Sequence, residues 1–144
     1  MAVADDVKRR FAEYVKVQAL GGRFIDRTTE RKILEDGVMR FEISLDEGRQ
    51  IMLGVAADEG YSFESEADQR IKDILDGFAE DRKIDKREFG DAVMFYRKFC
   101  NNGISEVEAR KRIKKMMIEE GLKPKGFTLL GGKRWYNKVE VDQA

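Results

Sequence analysis

The chain has 144 residues, 28 Lys+Arg against 28 Asp+Glu, one cysteine and no histidine. That length buries enough apolar surface for a single domain, residues 1–144, to fold without staples. The inventory excludes a disulfide framework, a zinc site and a histidine-based triad, and it leaves Cys100 as a small apolar core residue.

The opening Met1-Ala2-Val3-Ala4-Asp5-Asp6 does not resemble a signal peptide, and no apolar run approaches membrane length, so a cytoplasmic chain without membrane contact is expected. Apolar spacing near 3.6 predicts a first helix over about residues 5–20, with Val7, Phe11, Tyr14 and Val15 inward and Gly21-Gly22 as its stop. Asp26 caps a second helix carrying Ile33, Leu34, Val38 and Phe41. Ser44-x-x-Glu47 reads as a capping box opening a third helix with Leu45, Ile51, Met52, Val55 and Ala56. A fourth follows Gly60-Tyr61, with Ile71, Ile74, Leu75 and Phe78 in i, i+3, i+4, i+7 spacing.

Asp85-x-x-Glu88, a second capping box, opens a fifth helix bearing Phe89, Ala92, Val93, Tyr96 and Phe99, which Asn101-Asn102-Gly103 breaks. Ser105-x-x-Glu108 opens a sixth. It presents Ile113, Met116 and Met117 on one side and Arg110, Lys111, Arg112, Lys114 and Lys115 on the rest. Gly121 closes it, and Pro124 forbids its resumption. Phe127-Thr128-Leu129-Leu130, Gly131-Gly132 and Lys133 to Val139 predict a β-hairpin over 126–140, too small to stand alone in water.

The sequence also repeats. Arg23-Phe24-Ile25-Asp26, Ile43-Ser44-x-x-Glu47 and Glu59-Gly60 return as Arg82-Lys83-Ile84-Asp85, Ile104-Ser105-x-x-Glu108 and Glu120-Gly121. The displacement is 59 at the first landmark (84 minus 25) and 61 at the next two (104 minus 43, 121 minus 60), so one two-residue insertion reconciles them. Phe11, Tyr14 and Val15 stand 60 residues before Ile71, Ile74 and Leu75. The expected fold is therefore all-α: a six-helix bundle of two pseudo-repeated three-helix units, 5–61 and 64–122, plus the small C-terminal β-hairpin.

Acidic residues sit at the helix joints, where they either cap helices or hold a hard cation through oxygen. An EF-hand centred on Ile84 would draw ligands from Gly77, Ala79, Asp81 and Glu88, of which two carry oxygen side chains. Centred on Ile25 it would find no carboxylate. Ala56-Ala57-Asp58-Glu59-Gly60 with Glu66, and Ala79-Glu80-Asp81-Arg82-Lys83-Ile84 with Glu88, resemble the doubled hallmark of the TerB-like family, over about residues 44–121. That family is known from tellurite-resistance proteins and from the helical domain of some membrane-anchored J-proteins. Its hallmark is an Ala-Ala-Asp-Gly-like helix end followed by an aliphatic and a helix-starting glutamate. Here Glu59 is inserted in the first element and Arg82 replaces the turn glycine of the second. The resemblance implies a helical interaction module with a Ca2+ or Mg2+ site at Asp58, Glu66, Asp81 and Glu88; the capping reading implies no cofactor at all.

Charge is divided along the chain: residues 1–96 hold 16 Lys+Arg against 22 Asp+Glu, giving −6, and residues 97–144 hold 12 against 6, giving +6. Residues 105–139 resemble the recognition helix and wing of winged helix-turn-helix proteins. This implies phosphate or groove contacts from Arg110, Lys111, Lys114, Lys115, Lys123 and Lys125, with Lys133 and Arg134 on the wing and Trp135 and Tyr136 stacking. The competing account is a solvated cationic face, with Trp135 a core lid.

No P-loop, dinucleotide fingerprint or nucleophile elbow occurs, and the acids have capping work to do, so catalysis is not expected. The function expected first is a non-enzymatic cytoplasmic module that binds a protein partner through its basic C-terminal face. DNA or RNA binding through the same face comes second, and divergent divalent-cation binding third.

Overall fold

The computed structural model describes residues 4–19, 22–126 and 132–141, and it is mostly helical, with two small two-stranded sheets. Among the described residues no helix is long and apolar enough to cross a membrane. The chain divides into two compact units, Met1–Glu66 and Ala67–Ala144.

The first unit contains α1 (Asp5–Gln18), β1 (Phe24–Ile25), α2 (Arg27–Arg40), α3 (Leu45–Glu59), β2 (Ser62–Phe63) and the first turn of α4 (Glu64–Phe78). Local chemistry sets these boundaries. The Asp26 carboxylate accepts from the Thr29 N–H at 2.8 Å and the Ser44 hydroxyl oxygen from the Glu47 N–H at 3.2 Å, satisfying first-turn donors that the helices themselves cannot. Gly60, at φ 74°, ends α3 in the left-handed conformation that glycine adopts without strain. The chain leaves α2 through Glu42, a non-glycine residue at φ 57°.

β1 and β2 pair in parallel, Phe24 opposite Ser62 and Ile25 opposite Phe63, with the Ser62 N–H donating to the Arg23 carbonyl at 2.7 Å. The core draws Phe11 and Val15 from α1, Ile33 and Leu34 from α2, and Met52, Val55 and Ala56 from α3, with Ile25, Ile43 and Phe63 from the joints. Gly37 is where the Phe11 ring lies against α2: a Cβ there would stand 3.0 Å from a ring carbon.

The second unit continues α4 and adds β3 (Lys83–Ile84), α5 (Lys86–Phe99), α6 (Glu106–Glu120), β4 (Lys123–Pro124) and α7 (Arg134–Asn137). Asp85 makes a complete capping box: its carboxylate accepts from the Glu88 N–H at 2.7 Å, and Glu88 accepts from the Asp85 N–H at 3.0 Å. The Ser105 hydroxyl oxygen caps α6 at 3.1 Å, and Gly121 closes that helix at φ 71°.

β3 and β4 also pair in parallel, Lys83 with Lys123 and Ile84 with Pro124. Proline is tolerated because Lys123 and Lys125 on either side supply the donors, to Arg82 and Ile84 carbonyls at 3.0 and 2.8 Å. Ile71, Leu75, Ile84, Phe89, Tyr96, Cys100, Ile113 and Met117 are buried in this unit's core.

Several expectations are corrected. The predicted second strand of the hairpin is a helical turn instead, Arg134–Asn137, which buries Trp135, and Val139 just beyond it is buried as well. The predicted first strand, 127–130, lies outside the described residues. Of the two predicted capping boxes, at Ser44 and Asp85, the one at Asp85 is closed by both hydrogen bonds. At Ser105 the Glu108 carboxylate is drawn to Arg112 at 3.2 Å, and at Ser44 one carboxylate oxygen of Glu47 is buried without a partner. α1 stops at Gln18, two residues short of the predicted end; Leu20 and Gly21 lie outside the described residues.

Candidate functional site

The cations singled out in the sequence all belong to the second unit, and the structure separates them by what holds them. On α6, Arg110 pairs with Glu106 at 2.9 Å and Arg112 with Glu108 at 3.2 Å, each with the acid one turn earlier, the orientation that also suits the helix dipole. Lys111 is half-buried and engaged. Lys114 reaches over the C-terminal segment. Its ammonium donates to the Tyr136 and Val139 carbonyls at 2.9 and 2.8 Å and lies 4.2 Å from the Tyr136 ring centroid. Partial burial holds its pKa below the ordinary lysine range. Lys114 is thus a clamp on the chain's own backbone at the end of α7, where the Tyr136 carbonyl also accepts from the Val139 N–H at 3.1 Å.

Trp135 is 8 % exposed and packs on Phe89 with ring centroids 5.1 Å apart, with Tyr136 edge-on to it at 5.9 Å. Burial raises the Tyr136 pKa above its ordinary value. This is the arrangement of a lid over the core; a platform for bases would have to leave the Trp135 faces open, so the stacking role expected for Trp135 is corrected. Lys125 reaches Asp81 at 3.3 Å. Lys115, Lys123 and Arg134 are exposed, Lys133 is half-buried, and none of these four makes an ion pair with another described residue.

Two of the four acidic positions, Asp81 and Glu88, are engaged within the second unit. Glu88 completes the Asp85 capping box. Asp81 is held below the usual carboxylate range, first by Lys125 and then by the Lys83 N–H. Asp58 and Glu66 are exposed in the first unit. Among the described residues no three His, Cys, Asp or Glu side chains gather as a group that could hold a metal ion. Arg82 has φ 64°, a conformation that glycine would favour, and its guanidinium donates to the Glu120 carbonyl at the end of α6.

A buried polar network escaped the sequence. Asp68 on α4 is 8 % exposed and accepts from the Tyr96 hydroxyl of α5 at 2.5 Å, and Arg112 of α6 approaches that hydroxyl at 3.4 Å. Burial, then the Asp68 hydrogen bond, raises the Tyr96 pKa far above its ordinary value. The signal was present: Asp68, Ile71 and Leu75 occupy i, i+3 and i+7, so an acid stands on the apolar stripe of α4.

Compared with known families, with curated proteins and with solved structures, the chain matches none of them.

Proposed function

We propose that the chain is a non-enzymatic, TerB-like interaction module, built by duplication of a three-helix unit, whose second unit binds an acidic macromolecular partner, a protein, through Lys115, Lys123, Lys133 and Arg134. Duplication is supported position by position. The capping residues Asp26 and Asp85 are 59 apart and Ser44 and Ser105 are 61 apart; the left-handed Gly60 and Gly121 are 61 apart. The strand pairs follow the same displacement, Phe24 to Lys83 by 59 and Ser62 to Lys123 by 61. Buried Ile25, Ile43 and Met52 stand opposite buried Ile84, Ile104 and Ile113 in that register. The two-residue difference falls where Glu42 alone leaves α2 but Asn101 and Asn102, both at positive φ, leave α5.

One observation carries the binding surface. The α3 residues 61 positions before Lys111, Lys114 and Lys115 are Gln50, Leu53 and Gly54, so the cationic face belongs to the second unit alone. Its cations outlast the internal pairing. A soluble-phase role without catalysis agrees with a chain that has no histidine and whose buried acid, Asp68, is engaged by Tyr96.

The net +6 of residues 97–144 favours a second reading, DNA or RNA binding. The two separate cleanly. Immobilised chain at physiological salt should retain a specific protein that Lys115→Glu with Arg134→Glu releases. Fluorescence anisotropy with duplex and single-stranded probes should stay flat, whereas binding that weakens steeply with salt would replace the protein reading with the nucleic-acid one. Identical retention by wild type and variant would refute both surfaces.

A further inference from the structure

We propose that the second unit's binding surface is assembled by docking of the chain's own C-terminal segment, so that partner binding and docking form one coupled equilibrium, with Lys114 as its positioning residue. It rests on the reading of Lys115, Lys123, Lys133 and Arg134 as a partner surface, and adds what assembles that surface. Lys115 stands on α6 and Lys123 on β4, but Lys133 and Arg134 belong to residues 132–141, where α7 has four residues. A helix that short does not hold itself in water. Contacts from outside fix its place. Lys114 of α6 donates to the Tyr136 and Val139 carbonyls at 2.9 and 2.8 Å, and Trp135 packs on Phe89 of α5 with ring centroids 5.1 Å apart. The backbone at Gly132 passes so close to Gly126 that a Cβ on Gly126 would fall 2.4 Å from the Gly132 carbonyl oxygen.

The first unit supplies an internal comparison. Phe89 stands 59 residues beyond Glu30, and Lys114 stands 61 beyond Leu53. Glu30 takes the Ser65 hydroxyl at 2.9 Å, and Leu53 packs against the first unit's core. A leucine has no donor for a backbone carbonyl, and a glutamate offers no ring face to a tryptophan. The clamp residues are therefore missing from the unit that lacks the cationic face and present in the unit that has it. A partner that engages Lys133 and Arg134 together with Lys115 selects the docked segment. Its affinity then falls in proportion to the fraction docked, and by linkage it favours docking by the same factor.

Two readouts on the full chain at low salt test the coupling. The emission of Trp135, the sole tryptophan, reports docking, and the anisotropy of a dye-labelled oligoglutamate peptide reports binding. Lys114→Ala and Gly126→Ala should each red-shift the emission and weaken binding at least about threefold, in step with the docked fraction. Gly126→Ala alters no charge, so its effect passes through docking alone. Saturating peptide should draw the emission of both variants back toward the wild-type position, and Lys114→Arg, which keeps the charge and the donors, should recover both readouts. Lys115→Glu should weaken binding with the emission unchanged, because it removes a contact and leaves the clamp. Normal or tighter binding in variants whose emission has shifted would overturn the proposal, as would emission that neither variant moves or that saturating peptide fails to restore. A wild-type chain that ignores the peptide would remove the proposed surface itself and the coupling with it. Wild-type binding that Lys115→Glu weakens, but Lys114→Ala and Gly126→Ala spare, would overturn the coupling alone.

Discussion

Replacing Tyr96 with phenylalanine deletes one oxygen from the middle of the second unit. Tyr96 is fully buried and its hydroxyl donates to nearly buried Asp68 at 2.5 Å. Asp68 and Arg112 keep other interactions, Arg112 among them its pair with Glu108, so the carboxylate is not orphaned outright. A hydrogen bond to an ionisable acceptor in such a place is worth about 1.5–3 kcal/mol, and that is the expected loss in urea denaturation at neutral pH. The sign of the pH dependence supplies a sharper check. The folded state keeps the Tyr96 hydroxyl protonated far above the ordinary 10.0, while the unfolded chain releases that proton as pH rises past this value. The associated stability is complete below about pH 10 and falls above it by up to about 1.4 kcal/mol per pH unit for each such group. Tyr14, whose hydroxyl donates to Asp36, and Tyr136 are raised as well, so Tyr96→Phe should make the alkaline decline shallower without abolishing it. A loss under about 0.5 kcal/mol, or an alkaline slope identical to wild type, would refute the account of the network.

Lys114→Ala should free the backbone of α7 and cost about 1–3 kcal/mol of its docking; as Trp135 is the sole tryptophan, a red-shifted, more quenchable emission reads this directly, and unchanged emission would count against the clamp. Two glycines should respond with opposite signs in thermal melts. At Gly54 a Cβ meets nothing within 4 Å, so Gly54→Ala should stabilise by about 0.5–1 kcal/mol. At Gly37 the fully buried Phe11 ring at 3.0 Å blocks it, so Gly37→Ala should cost a net of about 1 kcal/mol. Glu42→Gly relieves a non-glycine residue at φ 57° and should add about 0.5–1 kcal/mol by calorimetry; a destabilised variant would mean the Glu42 side chain contributes more than its conformation costs.

The helices were readable because their boundaries are decided locally: Asp26, Ser44, Asp85 and Ser105 each accept the N–H three residues on, and each announced its helix. The strands were not. Two residues carry no alternation, and Phe24 meets Ser62 through a contact fixed by packing between them. Trp135 and Val139 misled because a short aromatic and β-branched run suits a strand as well as a helical turn, and residues four apart share one face in either. The cations of the candidate surface were visible at once, but their engagement was half legible. Glu106 and Glu108 lie one turn before their arginines, whereas the Lys114 carbonyls and the Lys125 carboxylate come from 22 to 44 residues away in the chain.

The parallel strand pairs bear on the order in which each unit forms. Phe24 and Ser62 are 38 residues apart, and Lys83 and Lys123 are 40 apart, so joining either pair in a disordered chain costs roughly 3 kcal/mol before the length-independent part. Two residues of ladder cannot repay that early, whereas helices enclosed between the strands shorten the search as they form. The ladders are therefore latches that close last. The Ser62 amide in one unit and the Lys125 amide in the other, each donating across its ladder, become paired reporters of when a unit is finished and of whether the two finish together.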